Sequence, residues 1–448
     1  MSIHQSSHLT IPSTLTYEAG LSTSDVILGS RVNKFYPLSD SIEYKAGSQI
    51  TFRLSTKKAL DTDSVQLHFT LKTDEYKDGA AVAWPGAMVM NSHASSLIRS
   101  LSVKFGSFQT ERLDFYNSLH SVLESTVSDS YQRTLGQVEG YSRRAGEFVD
   151  SLSINGAGDD LLLNDYKDGK GFIEAALIAK DSAEQNAGVQ YSIRLDVAGL
   201  FSMDKLMLVE SVGFIDIEIQ LETPERAFSG WDVANTPYYQ ISNPYITATL
   251  LDLSPTYTSA YYNALQQSIP IEQSTYNTFT QPLTANTFQT VRIHKQFSSL
   301  QTIWLVFQAD VDQQATRDQT KNFPLLGCNS YRVLVDGRPV SSHNISTAAG
   351  ANSESFMEML KSLRLNADVT HTSLLNRTSY ENDKFIIGID LEHSSTNHLS
   401  GTSVASEIAI ELNFDSNPIA TNAANAMCFL QYNRRLVIMP GQQFQDLS

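Results

Sequence analysis

The sequence has 448 residues, which exceeds the roughly 250–300 residues at which a single hydrophobic core stops growing, so two cores are expected. Charged residues make up only 18% of the chain and the formal net charge is −16, which excludes a protein that grips phosphate backbones through many Lys and Arg contacts. The apolar runs are strand-sized and residues 1–30 contain neither Lys nor Arg, so we expect no membrane span, no secretory signal, and synthesis in a cytosol-like compartment.

The first half of the sequence carries the period-2 pattern of half-buried antiparallel strands. Before it, residues 1–30 are rich in Ser and Thr and lack a core pattern, which predicts an N-terminal arm that orders only against a neighbour. A helix is predicted after Asp114 as N-cap, followed by a long Gly-, Asp- and Lys-rich insert over 125–190. The apolar strand faces are Ile50, Phe52 and Leu54; Val65, Leu67, Phe69 and Leu71; Leu101, Val103 and Phe105; Tyr191, Ile193, Leu195 and Val197; Ile215, Ile217, Ile219 and Leu221.

The second half repeats the same order of parts after a Tyr-rich connector at residues 254–267. A second amphipathic helix is predicted, opened by a capping box of Ser355 and Glu358. Its apolar stripe is Phe356, Met359, Leu360 and Leu363. The strand faces are Tyr331, Val333 and Val335; Phe385, Ile387, Ile389 and Leu391; Ile408, Ile410, Leu412 and Phe414.

The spacing of the last strands indicates a duplication. Ile215 follows Val197 by 18 residues, and Ile408 follows Leu391 by 17. Many short strands with few helices are typical of a β-sandwich or barrel, so the chain is predicted to be all-β with one sandwich at 31–255 and a second at 256–448.

Two groups of residues suggest metal binding, but neither has the required pattern. Residues 164–171 resemble a calcium loop, yet an EF-hand needs oxygen ligands where Tyr166 and Ala175 stand, so a solvated turn is predicted. His393 and His398 match no zinc spacing and are predicted to be loop residues. We therefore predict no metal and no cofactor, although a weak ion site between neighbouring molecules stays open.

Catalytic patterns are also weak. A glycosidase-like acid/base pair could be drawn from four carboxylates, but these lie on the polar faces of alternating strands, where charge serves solubility. They are Asp216, Glu218, Glu407 and Glu411. Cys328 and Cys428 are predicted to be buried free thiols. The connector tyrosines, Tyr257, Tyr261 and Tyr262, are predicted to pack at an interface or between the two halves. No catalytic residue is assigned and no enzyme is predicted.

Several segments, in their order along residues 45–440, resemble the double jelly-roll major capsid proteins of double-stranded DNA viruses, particularly those of virophages, polinton-like viruses and large algal viruses. Those of the first half are Ser96 to Gly106 and the helix at 116–123. Those of the second half are Pro270-Ile-Glu-Gln, Val291 to Gln308, Val333-Leu-Val-Asp-Gly-Arg, Phe385 to Glu392, and Leu399-Ser-Gly-Thr-Ser.

The resemblance implies two tandem eight-stranded jelly rolls with short helices in their loops. It also implies a homotrimer that forms a pseudo-hexameric capsomer and tiles an icosahedral virion shell. The implied partners are further copies, penton proteins and minor capsid proteins, with no direct nucleic-acid binding. The insert would then be an outward tower or a clasp between subunits. Two alternatives stay open: a carbohydrate-binding or glycan-degrading β-sandwich protein, and a minor capsid or spike protein.

Overall fold

The computed structural model describes residues 27–77, 80–81, 89–90, 93–124, 136–139, 188–203, 205–229, 236–265, 269–309, 323–365, 377–382, 384–392, 401–420, 423–439 and 443–446. Most of the predicted N-terminal arm and insert therefore lie outside the described residues, as do the 164–171 segment, His393 and His398. Residues 27–30, which the sequence assigned to the arm, lie in the first strand.

Within the described residues, the first half contains fourteen strands, of which several have only two or three residues. They are β1 (Ile27–Phe35), β2 (Glu43–Lys45), β3 (Gln49–Leu54), β4 (Ala59–Asp61), β5 (Gln66–Lys77), β6 (Ala80–Ala81), β7 (Val89–Met90), β8 (Ile98–Phe105), β9 (Phe108–Asp114), β10 (Val189–Arg194), β11 (Leu206–Leu208), β12 (Ile215–Leu221), β13 (Phe228–Ser229) and β14 (Thr236–Leu253).

The described part of the second half adds eleven strands. They are β15 (Ile269–Pro282), β16 (Phe288–Ile293), β17 (Phe297–Ala309), β18 (Cys328–Val335), β19 (Arg338–Pro339), β20 (Ile345–Ser346), β21 (Ile387–Asp390), β22 (Thr402–Val404), β23 (Ile408–Phe414), β24 (Ala424–Met439) and β25 (Gln443–Asp446).

Short helices occupy the connections. The α-helices are α1 (Tyr116–Glu124), α2 (Gly136–Glu139), α3 (Pro224–Ala227), α4 (Pro255–Leu265), α5 (Ser353–Ser362) and α6 (Arg377–Asn382). Single turns of 3₁₀-helix are Thr62–Ser64, Ala94–Leu97 and Val209–Val212.

Each half is a sandwich of two antiparallel sheets with the same strand order. In the first half, one sheet runs β10-β5-β14 with β1 and β2 beside β14, and the other runs β3-β12-β8-β9. In the second half the corresponding orders are β21-β17-β24-β15 and β16-β23-β18-β19. Eight strands thus correspond one to one once β1 and β2 together are matched to β15, which confirms two tandem jelly rolls.

The registers agree as well as the order. Ile215 pairs with Leu54 on one side and Phe105 on the other, and Ile408 pairs in the same way with Ile293 and Val335. The turn after β8 and the turn after β18 each contain two residues. Both turns use the left-handed backbone region, at Gly106 in the first and at the Asp-Gly pair 336–337 in the second. Such agreement in register supports the duplication that the spacing predicted.

The alternating residues form the cores of the sandwiches. β3 has the burial pattern of a strand with one face inside, and its inward residues, Ile50, Phe52 and Leu54, are at most 2% exposed. The other predicted strand faces are buried in the same way, so the period-2 prediction is confirmed. Leu195 and Val197 are also buried, although β10 ends before them at Arg194.

Both predicted helix starts are wrong, the first by one residue and the second by three. Asp114 is the last residue of β9, and the first turn of α1 closes on the carbonyl of Phe115, which accepts from the Leu119 N–H at 3.0 Å. The N-cap of α5 is Asn352, so Ser355 lies within the helix. Its hydroxyl is buried and bonds Tyr380, which explains why it does not cap the helix.

Candidate functional site: the seam between the barrels

Three of the four carboxylates that could suggest an acid/base pair, those of Asp216, Glu218 and Glu407, belong to ordinary ion pairs with neighbouring strands. Asp216 accepts two hydrogen bonds from Arg53, each at 2.8 Å, and Glu218 accepts from Lys104 at 2.5 Å. Glu407 lies 3.5 Å from Arg292 in the second barrel. Oppositely charged side chains on neighbouring strands stabilise the polar face of a sheet.

The two cysteines show no reactive arrangement, and the metal candidates at 164–171, His393 and His398 lie outside the described residues. Cys328 and Cys428 are free and buried, and burial raises the pKa of the Cys328 thiol to about 12. Within the described ranges, no group of three or more His, Cys, Asp or Glu residues could hold a metal ion. In the same ranges, no helix is long and apolar enough to cross a membrane.

A buried polar cluster joins the two barrels through Glu111 on β9. The Glu111 carboxylate accepts a hydrogen bond from the Gly199 N–H at 3.0 Å and another from the Thr275 hydroxyl of the second barrel. The side chain is only 3% exposed, and burial raises the pKa of the carboxyl. Glu111 interrupts an otherwise apolar face that includes buried Leu113, and this interruption is the sequence signal that could have drawn attention to it.

The backbones approach closely along the same seam. A Cβ atom on Gly199 would overlap the carbonyl oxygen of Ser274 on β15, so the contact requires glycine. The Thr278 hydroxyl also donates to the Asp114 carbonyl at 2.9 Å. The free edge of β15 is therefore held against β9 and the turn that contains Gly199.

An aromatic contact extends the seam toward the C-terminal part of the chain. The ring of Phe444 on β25 packs against two rings of the first barrel, with its centroid 5.7 Å from that of Phe105 and 5.4 Å from that of Phe108. Because β25 pairs with β24, this contact ties the second barrel to the β8–β9 turn of the first. The sequence pattern gave no sign of it, because β25 is short and mostly exposed.

The connector tyrosines pack mainly against the first barrel. Tyr262 donates to Glu210 at 2.7 Å, and Tyr261 packs beside Leu208 and Leu251. Tyr257 is 44% exposed. The connector therefore forms α4, two of whose tyrosines cover the end of the first barrel, while the third faces outward.

A buried histidine pair in the first barrel was not predicted. His93 and His120 approach to 2.5 Å between Nε2 and Nδ1, and the other His93 nitrogen accepts from the Ser95 N–H at 2.9 Å. His93 therefore accepts at Nδ1, and the pair links the start of β8 to α1. We interpret it as a structural contact of the core, because both rings are buried and bonded to each other.

Two jelly rolls joined along an edge strand define a double jelly-roll protein. Its candidate functional surfaces are the edges that join barrels. The seam inside the chain shows how one such edge is built: a buried carboxyl, a close backbone approach and an aromatic contact.

Solved structures of viral proteins have this fold. A chain of the Sputnik virophage structure matches at a TM-score of 0.60 with 10% identity, over 96% of this chain and 91% of that chain. The Faustovirus major capsid protein matches at 0.59 with 9% identity, over 95% and 92%. VP54 of PBCV-1 matches at 0.58 with 8% identity, over 97% and 100%. No protein-family model and no curated protein matches the sequence.

Proposed function

We propose that the protein is a major capsid protein whose working unit is a homotrimer. Three double barrels would form a six-barrel, pseudo-hexameric capsomer that tiles an icosahedral virion shell. The observation that supports this most is the repeated register of the two barrels, which gives one chain two equivalent building blocks joined along an edge. The fold shared over nearly the whole length with a major capsid protein supports it too.

The composition suits this role. Low charge and abundant neutral polar residues suit surfaces that pack against other proteins, and the net charge of −16 argues against direct contact with the genome. The proposed partners are further copies of the chain, with penton and minor capsid proteins at other positions of the shell. The proposed location is the virion, and no enzymatic activity is proposed.

The test is the mass and shape of the purified protein. Light scattering is expected to give three times 49.6 kDa, and electron microscopy is expected to show six-lobed particles. A stable monomer that binds oligosaccharides would contradict the proposal and favour a carbohydrate-binding β-sandwich. A trimer that forms only a minor band in purified virions would instead indicate a minor capsid or spike protein.

A further inference from the structure

The turn after β18 is the counterpart of the turn that carries the seam in the first barrel. Phe105 pairs with Phe108 across the first turn, and Val335 pairs with Arg338 across the second. Arg338 therefore takes the position of Phe108. The hairpin pairing continues beyond the turn, because the Val340 N–H donates to the Val333 carbonyl at 2.9 Å.

The next residues also correspond. Thr110 donates through its hydroxyl to the carbonyl of Val103 at 2.8 Å, and Val103 is the counterpart of Val333. Val340 thus lies where Thr110 and the adjoining Glu111 lie in the first barrel. Those two residues are 1% and 3% exposed, whereas Val340 is 43% exposed.

The second barrel carries an open cleft at this place. Its volume is about 630 Å³, and its lining includes Arg338, Val340, Asp390 and Glu392. The last two lie at the end of β21, the counterpart of β10, after which the first barrel places its Gly199 turn. The cleft is therefore built from the same two elements that hold β15 in the first barrel.

The first barrel has an edge strand in the position of β15. β1 lies beside β14 as β15 lies beside β24. Leu67 pairs with Ile246 in the first barrel, and Ile303 pairs with Leu430 in the second. Matching these two pairs also matches Ala248 with Tyr432. Their partners on the edge strands are Asn33 and Thr275, so Asn33 corresponds to Thr275.

The exposed surface of β1 is suited to packing against another barrel. Leu28 and Val32 lie four residues apart on β1, Tyr36 directly follows the strand, and the three side chains are 65%, 65% and 67% exposed. A row of exposed apolar residues on an edge strand is a surface that natural proteins normally cover.

The charges are also complementary. Residues 27–36 contain Arg31 and Lys34 and no acidic residue. The cleft is lined by the carboxylates of Asp336, Asp390 and Glu392 and by the cation of Arg338, and Glu392 is also paired with Arg364 at 2.8 Å, so one net negative charge is left. The net charge of the chain is −16, yet one of the two matched edges carries a basic strand and the other carries an acidic cleft.

We propose that β1 of one copy docks in the cleft at Arg338 and Val340 of a neighbouring copy, so that the joint between copies repeats the seam within the chain. This inference rests on the proposed capsid function, since a trimer is the ring that a head-to-tail contact forms when its rotation closes after three copies. The joint would place Asn33 of one copy beside Val340 of the next, as Thr275 lies beside Glu111.

The test is a cysteine crosslink on the full chain. The double variant Asn33→Cys with Val340→Cys is oxidised and run on a non-reducing gel, and covalent trimers are expected. The native cysteines are buried, so the unchanged chain is expected to stay uncrosslinked. Asn33→Cys with Met357→Cys is the matched control, because Met357 is 46% exposed but lies on α5 outside the cleft lining.

A second measurement uses Val340→Asp, with Met357→Asp as control and circular dichroism to check the fold. Light scattering over a dilution series is expected to show trimer dissociation at a concentration at least about tenfold higher for Val340→Asp only. A wild-type trimer with no crosslink and no effect of Val340→Asp overturns this joint and leaves the capsid proposal intact. A wild-type monomer overturns the proposed function itself.

Discussion

Glu111 places an ionisable group where the two barrels meet. Burial raises the pKa of its carboxyl above the ordinary value of 4.5, while the hydrogen bonds from Thr275 and Gly199 and the charge of Arg434 act in the opposite direction. Because the folded chain then holds the proton more tightly than the unfolded chain, the contribution to stability is complete below about pH 4.5 and is lost as the pH rises through the raised pKa.

Glu111→Gln removes this pH dependence and keeps an oxygen that can accept from Gly199. At pH 8 the variant is expected to melt about 1 °C above the wild type, corresponding to roughly 1 kcal/mol for a cooperative unit of this size, and the difference is expected to shrink or reverse at pH 4. Thermal melts at half-unit steps of pH measure it, with Glu43→Gln at an exposed position as control. A difference that stays constant across this range would contradict the prediction.

Gly199 sets how closely the barrels approach. In Gly199→Ala the new methyl group would overlap the Ser274 carbonyl, and neither can turn away because the backbone fixes the position of the methyl carbon and the carbonyl is part of the backbone. Overpacking of this kind typically costs about 1–3 kcal/mol, so a lower urea midpoint is expected. Gly29→Ala is the control, because its added methyl group would meet only Asp252 at 3.9 Å. Equal midpoints for the two variants would show that the seam is able to relax.

At the scale of elements, α5 offers an internal comparison on a single helix. Met359 is fully buried against the sheet that contains β21, whereas Met357 is 46% exposed. Met359→Ala is expected to destabilise the protein by about 2–5 kcal/mol because it leaves a cavity. Met357→Ala is expected to change stability by less than about 0.5 kcal/mol. Urea titrations followed by circular dichroism compare them, and similar losses would mean that helix propensity, not packing, decides.

The elements also show which features the sequence could predict. Alternation located β3, β12 and β23, because one buried face imposes a period of two on the residue types. It could not locate the seam. Glu111, Gly199 and Phe444 come from segments distant in sequence, and their roles arise only when the two barrels meet.

Helix starts were missed for a related reason. Ser355 and Glu358 have the spacing of a capping box, but burial of the Ser355 hydroxyl against Tyr380 assigns it another partner. A local pattern predicts a cap only while no tertiary contact competes for the same hydroxyl.

At the scale of the whole molecule, the seam makes the two barrels one unit of stability. One continuous cluster of buried residues contains Phe105 of the first barrel and Leu436 of the second. We therefore expect a single cooperative transition when the protein is heated, measured by scanning calorimetry. Two resolved transitions would contradict this, and it would follow that the barrels are stable separately and that the seam contributes little.

The same scale separates the folding of the barrels from the assembly of the shell. Deletion of residues 1–26 leaves β1 complete, so trimers of unchanged melting temperature are expected. Assembled shells are expected to become rarer in electron micrographs, because a Ser- and Thr-rich arm without a core pattern is suited to contacts between capsomers.

Deletion of residues 1–36 is the comparison. It removes β1, leaves residues 246–253 of β14 without this strand partner, and is expected to abolish the trimer. Loss of the trimer in the shorter deletion would show instead that the arm holds the subunits of one capsomer together.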